Sequence, residues 1–237
     1  MLAQIVYYFY AFFRVQETTG AEQVQFSVPT GNFGDIMAGY IAVQMGLPIK
    51  KLILATNENN ILSRFFNTGT YSIGEVVPTI SPSMDIQVAS NFERYLYYRL
   101  GGDSAKLCEL MNGFAKNKTL TVPGTDDLFV ADEAGTAETL AMIKKCYENE
   151  CYILDPHTAV GVAVAEKFQC SDAPTICLAT AHPAKFNEAI EQAIGIAAHH
   201  PVLDKLANAE TRCDTLANDE SAVRDYLVER FQISIAM

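Results

Sequence analysis

A β-forming run, a glycine-containing turn, a helix and a second buried run follow one another across residues 24–55, and no other feature constrains the fold as tightly. Val24, Gln25, Phe26, Ser27 and Val28 form the first run, and Pro29-Thr30-Gly31-Asn32-Phe33-Gly34-Asp35 follows at once. From Ile36 the apolar positions change to helical spacing, through Met37, Tyr40, Ile41, Val43 and Met45. Gly46 and Pro48 stop that helix, and residues 52–55 (LILA) give a second buried strand. Strand, helix and strand in this order predict a right-handed parallel βαβ unit.

The rest of the chain repeats the alternation. Helices are expected over 58–66, 91–100, 104–116 and 132–148, with a long Gly-, Pro- and Ser-rich loop over 69–90. Asp155-Pro156-His157-Thr158 opens a helix over 159–168, with Thr158 as its expected N-cap. Residues 175–179 (TICLA) read as a third buried strand, leading through Thr180-Ala181-His182-Pro183 into a helix over 184–194. The polar tail beyond His199 reads as two helical pieces. The fold class is therefore α/β, a parallel sheet covered by helices, with a large domain over 1–195 and a helical tail over 196–237. Ligands of such sheets sit at the carboxyl ends of strands, which singles out the turn 30–35 and the segment 180–182.

The turn 31–35 joins a strand end to a helix start. First-turn amides have no intrahelical acceptor, the helix dipole is positive there, and Gly31 and Gly34 let an anion come close. This is the physics of a phosphate site without a lysine or arginine. Spacing alone also allows a dinucleotide turn, although G-x-G-x-x-G is absent, or a plain tight turn.

Several collinear motifs resolve the choice. Val28-Pro29-Thr30-Gly31-Asn32-Phe33-Gly34-Asp35 resembles the VPSGNFGD phosphate loop of threonine synthases of the fungal and proteobacterial type. In order, Ala55-Thr56-Asn57-Glu58-Asn59 resembles ATNEND, Ser81-Pro82-Ser83-Met84-Asp85-Ile86 resembles SPAMDI, and Ser90-Asn91-Phe92-Glu93-Arg94 resembles SNFER. The segments 155–161 and 180–186 resemble DPHTAVG and TAHPAKF. The resemblance covers about residues 1–195 and identifies the chain as similar to the C-terminal part of that family.

The resemblance implies a fold type II enzyme using pyridoxal 5'-phosphate to turn O-phospho-L-homoserine and water into L-threonine and phosphate. Gly31, Asn32, Phe33, Gly34 and Asp35 would then hold the cofactor phosphate, and Thr180 would bond its ring nitrogen. A hydroxyl there does not force protonation of the ring as a carboxylate would. Asp155, His157 and Thr158 read as helix caps rather than catalytic groups, and His182 as a shaper of its turn. Asn91, Glu93 and Arg94 read either as channel-lining groups or as a helix start with a solvated charge pair. The family's Schiff-base lysine lies upstream of the phosphate loop, in a segment of the form GPTxAFKD. No lysine precedes Lys50 here, and Lys185 belongs to a different motif. The expectation is a chain with the cofactor cradle but no catalytic lysine, silent alone and partnered by an N-terminal half or by another copy. A catalytically silent binding fragment and a related phospho-lyase are the alternative functions.

Composition agrees with a cytoplasmic globular protein. A hydrophobic share of 49% supports a large core, and a net charge of -11 without a basic run argues against nucleic acid. Cys108, Cys146, Cys151, Cys170, Cys177 and Cys213 lack C-x-x-C spacing, so reduced thiols and no metal site are expected. The opening segment LAQIVYYFYAFF is too short to span a bilayer and lacks a signal peptide's basic start. A helix that apolar demands cover on every side, and the rest of the chain is not expected to bury Tyr7, Tyr8, Phe9, Phe12 and Phe13 together.

Overall fold

The computed structural model describes residues 1–206 and 209–231. They fall into two compact units, Met1–His199 and His200–Met237. In chain order the first unit contains α1 (Leu2–Thr19), β1 (Val24–Pro29), α2 (Gly34–Gln44), β2 (Ile49–Thr56), α3 (Ile61–Thr68) and β3 (Thr70–Ser72). It continues with α4 (Phe92–Arg99), α5 (Ser104–Asn117), β4 (Thr119–Thr121), β5 (Phe129–Glu133), α6 (Thr136–Glu150), α7 (Pro156–Lys167), β6 (Thr175–Cys177) and α8 (Asn187–Ile194). The second unit holds α9 (Pro201–Leu206) and α10 (Glu220–Phe231).

The main sheet is parallel, with strand order β5-β2-β1-β6. Its central strands are buried on both faces, as parallel strands flanked by helices must be, and their side chains alternate between two cores. Phe26, Val28, Leu52 and Leu54 face the core shared with α1, α2 and α3, while Ile53 and Ala55 face the core built on α7. Ser27, on the α7 side, donates to the Gly161 carbonyl at 2.6 Å and so leaves no orphan hydroxyl in that core.

Several boundaries differ from the sequence expectation. Asp132 and Glu133 lie in a strand, not in a helix, because parallel pairing to Ala55 and Thr56 carries β5 through them. α6 starts only at Thr136. The stretch 69–90 is not all loop: β3 pairs antiparallel with β4, and Pro82–Met84 forms a 3-10 turn. The N-cap of α7 is Asp155, not Thr158. Its carboxylate accepts from the amides of His157 and Thr158, and Pro156 occupies the first helical position, where no amide is needed. The helix expected from 184 is a 3-10 turn, Pro183–Lys185, followed by α8.

α1 extends to Thr19 and is covered on one side only. Ile5, Tyr8 and Phe12 are buried, whereas Leu2 is 85% exposed, Val6 66% and Tyr10 64%. Among the described residues no helix is long and apolar enough to cross a membrane. The spacing of Leu2, Val6, Tyr10 and Phe13 makes one bare apolar stripe, and such stripes drive association. Sedimentation velocity on the isolated chain should therefore show concentration-dependent association that V6E together with Y10E reduces. Because both positions are exposed, the melting temperature should stay within about 2 °C of the parent.

Candidate active site

The turn 31–35 leaves the carboxyl end of β1, and the segment 178–180 leaves that of β6, its neighbour in the sheet. Both open into one cleft of about 590 Å³. Gly31, Asn32 and Asp35 line it together with Ser83, Met84, His157 and Thr180. Gln4, Tyr7 and Tyr10 of α1 complete the wall. The volume lies within the usual range for small-molecule sites, about 300–1,000 Å³.

Phe33 shapes the turn. Its backbone is left-handed, with φ 64° and ψ 9°, a conformation costly for a bulky residue, and it immediately precedes the right-handed α2. Such a change of hand turns successive amides toward one side, the arrangement that makes an anion nest. The ring is fully buried against Phe66, Phe92, Tyr95 and Phe129, with centroids 5.5–6.2 Å away. Aromatic packing thus holds the strained backbone in place. The Gly34 amide donates to Asn32 Oδ1 at 3.0 Å, and the Met37 amide closes onto the Phe33 carbonyl at 3.2 Å. The Asp35 amide precedes that first helical bond and belongs to a residue that lines the cleft, so it has no intrahelical acceptor to compete with an anion.

A second segment backs the turn. Any Cβ on Gly31 would lie 2.8 Å from the Ser83 carbonyl oxygen and 3.1 Å from Met84 Cα. Asn91, at the start of α4, donates both its backbone and side-chain N–H groups to the Asn32 carbonyl, each at 3.1 Å. The turn 82–84 is fixed from beneath by Asp85. That carboxylate accepts from Asn57 Nδ2 at 2.8 Å, Asn59 Nδ2 at 3.1 Å, and the hydroxyl and amide of Thr79 at 2.7 and 2.8 Å. The Asn57–Asn59 and Asp85 motifs are therefore structural partners: they tie the loop to the end of β2.

Two carboxylates, Asp35 in the cleft lining and Asp155 bonded to His157, sit in opposite electrostatic settings. Burial pushes the Asp35 carboxyl up, although its Oδ1 accepts from Tyr7 Oη at 2.6 Å and Tyr8 Oη at 3.0 Å. Burial opposes ionisation of Asp155 too, but hydrogen bonds from His157 and Thr158 outweigh it and hold that carboxyl below the usual range. The raised Asp35 value means the folded state binds the extra proton, so its share of stability falls as pH rises through the folded value. For Asp155, stability is present above the unfolded value, about 3.9, and is lost as pH falls through the lower folded value. In urea unfolding between pH 3 and 8, D35N should cancel the first component while keeping an oxygen for both tyrosines. D155N should cancel the second.

The remaining motif residues lie apart from the turn. His182 Nδ1 accepts the Ala184 amide at 3.2 Å, which shapes the 3-10 turn. Lys185 lines a neighbouring cavity of about 390 Å³ with Thr79, Ile80 and Pro82. Glu93 and Arg94 line a groove with Met37 and Ile41, and Arg94 Nη1 donates to Asn91 Oδ1 at 2.9 Å. Sequence patterning missed Gln4, Tyr7 and Tyr10, because an all-apolar helix gives no sign of which side meets a cleft.

Comparison with known proteins converges on one family. Residues 158–227 match the family model described as threonine synthase, C-terminal. The threonine synthase of Schizosaccharomyces pombe is 46% identical over 224 residues, covering 82% of this chain and 44% of that protein. The crystal structure of pyridoxal-phosphate-bound threonine synthase from Brucella melitensis superposes with a TM-score of 0.85 and 42% identity, covering 95% of this chain and 50% of that one. The yeast threonine synthase structure gives a TM-score of 0.87 and 37% identity, over 98% and 52% of the two chains. The chain spans about half the length of the curated relatives it matches.

Proposed function

We propose, from the premise that this chain belongs, along the part it spans, to the threonine synthase family, that its cleft is the cofactor wall of a fold type II enzyme. That enzyme uses pyridoxal 5'-phosphate to convert O-phospho-L-homoserine and water into L-threonine and phosphate. The observation that carries the reading is that Gly31, Asn32 and Asp35 of the turn and Thr180, far apart in sequence, line one cleft at adjacent strand ends, whereas Phe33 and Gly34 are not among its lining residues. The fit is chemical as well: a change of backbone hand at a helix start, a glycine approached too closely for a Cβ, and an exposed threonine in the same cleft.

Pyridoxal phosphate, when bound, supplies an electron sink for charge developing at the substrate's α-carbon. The chain's own residues do the holding. Gly31, Asn32, Phe33, Gly34 and Asp35 would hold the phosphate, and the Thr180 hydroxyl would bond the ring nitrogen without forcing it to carry a proton. Tyr7 and Tyr10 line the cleft from α1. Among the described residues, no lysine lines this cleft. We assign the covalent lysine, and the proton transfers it performs, to sequence outside residues 1–237, as the partner half. Free thiols at all six cysteines accord with a cytoplasmic setting.

Borohydride reduction with peptide mapping, in the presence of pyridoxal phosphate, tests this. The chain alone should give no single labelled lysine and no turnover. With the separately produced upstream half of a relative, the label should fall on that half and threonine should form. Stoichiometric labelling of Lys185, with turnover by this chain alone, would overturn the assignment. Binding without restored turnover would favour a silent binding protein.

A further inference from the structure

We propose that Asp155 is a positioning residue that holds both walls of the cofactor cleft in register, an inference that rests on the cofactor reading above. Asp155 is 2% exposed at the N-cap of α7. Its Oδ1 accepts the His157 amide at 2.9 Å and faces His157 Nδ1 at 3.1 Å. The other ring nitrogen, Nε2, accepts the Ser83 amide at 3.3 Å, which leaves Nδ1 as the nitrogen that donates to Asp155. Phe186 packs against the ring at a tilt of 59°, with centroids 4.8 Å apart. This arm ends on the Ser83–Met84 backbone, the surface that packs against Gly31.

The second arm leaves from Oδ2. Oδ2 accepts the Thr158 hydroxyl, and Thr158 Oγ1 in turn accepts the Thr180 amide at 3.2 Å. One carboxylate therefore reaches the wall behind the phosphate turn through His157 and the residue facing the ring nitrogen through Thr158. Each arm begins in a backbone N–H and relays donors inward. Only a group that accepts on both oxygens can terminate the two arms at once, and an ionised carboxylate does so.

Helix capping alone does not require this. A cap uses Oδ1, and asparagine caps as well as aspartate. Asp155→Asn keeps Oδ1 but places an NH₂ against Thr158 Oγ1, so the hydroxyl loses its acceptor and must turn away, which loosens the Thr180 arm. The two roles thus predict different results for the same substitution.

The test is amide hydrogen exchange by NMR on the ¹⁵N-labelled full chain, with the Phe26 amide of β1 as reference for global opening. D155N and T158V should each speed Thr180 exchange at least tenfold, T158S should restore it, and H157F should speed Ser83 alone. In parallel, T158V should weaken pyridoxal phosphate binding at least fivefold while leaving inorganic phosphate, which needs only the nest, unchanged. Unaltered Thr180 exchange in both D155N and T158V would overturn the clamp. So would parallel weakening of both ligands with faster Phe26 exchange, which marks general destabilisation. Should D155N fail to fold, the T158V and T158S pair still decides. If the parent chain binds neither ligand, the cofactor reading falls and this role with it; if it binds both at a ratio that T158V leaves unchanged, the role alone falls.

Discussion

Phe33→Ala is expected to destabilise the chain by about 3–5 kcal/mol, the range for truncating a fully buried aromatic side chain. The ring lies at the centre of an aromatic cluster formed by α2, α3, α4 and β5, so the cavity it leaves has several rings for walls and little freedom to collapse. The backbone supplies a sharper control. Because Phe33 is left-handed, alanine there retains the strain, and glycine does not. Phe33→Gly should therefore be more stable than Phe33→Ala by about 1 kcal/mol, despite removing one more carbon. Denaturant unfolding of the two variants checks both statements. Equal stabilities, or a more stable alanine variant, would contradict the account of the turn.

Gly31→Ala is expected to lower pyridoxal phosphate affinity at least tenfold, about 1.4 kcal/mol. The added methyl would meet backbone on the far side, at 2.8 Å from the Ser83 carbonyl oxygen, so one of the two walls must move. Overpacking of this kind costs about 1–3 kcal/mol in stability as well. Gly46→Ala makes a matched control: its Cβ meets nothing within 4 Å, although its φ of 99° is strained for any side chain. That variant should lose stability while keeping the affinity of whatever fraction remains folded. Equilibrium dialysis beside thermal melts separates the two effects.

Much of this site was legible in the sequence because its chemistry is local. A strand end, two glycines and a helix start lie within a few residues, so the turn 31–35 could be placed without knowing the fold. Thr180 followed because the segment 175–179 reads as a buried strand, although the strand is only Thr175–Cys177, at the sheet edge and half-buried. What stayed hidden depends on tertiary partners. Asn91 reads as an ordinary helix start, yet it clamps the Asn32 carbonyl from another element. Asp132 and Glu133 carry the polarity of a helix surface, and only their pairing with β2 makes them strand. Asp155 was legible as a cap of some kind, but not as the junction of two hydrogen-bonded arms, since Ser83 and Thr180 lie remote from it in sequence. α1 shows the opposite limit: its composition demanded cover that the rest of the chain was not expected to supply, and one side is bare, but nothing in that composition marked Gln4, Tyr7 and Tyr10 as residues of the cleft.

The central claim is that the turn 31–35 and Thr180 form one cofactor site within this chain. Titrating the ¹⁵N-labelled chain with pyridoxal phosphate while following backbone amide shifts tests it most directly. The account predicts saturable shifts that are largest at Gly31, Asn32, Phe33, Gly34 and Asp35, with Thr180 moving on the same isotherm. Inorganic phosphate should reproduce the shifts of the turn without that of Thr180. Shifts centred on Lys185 and the cavity beside Thr79, or a turn that stays still while pyridoxal phosphate binds elsewhere, would contradict it.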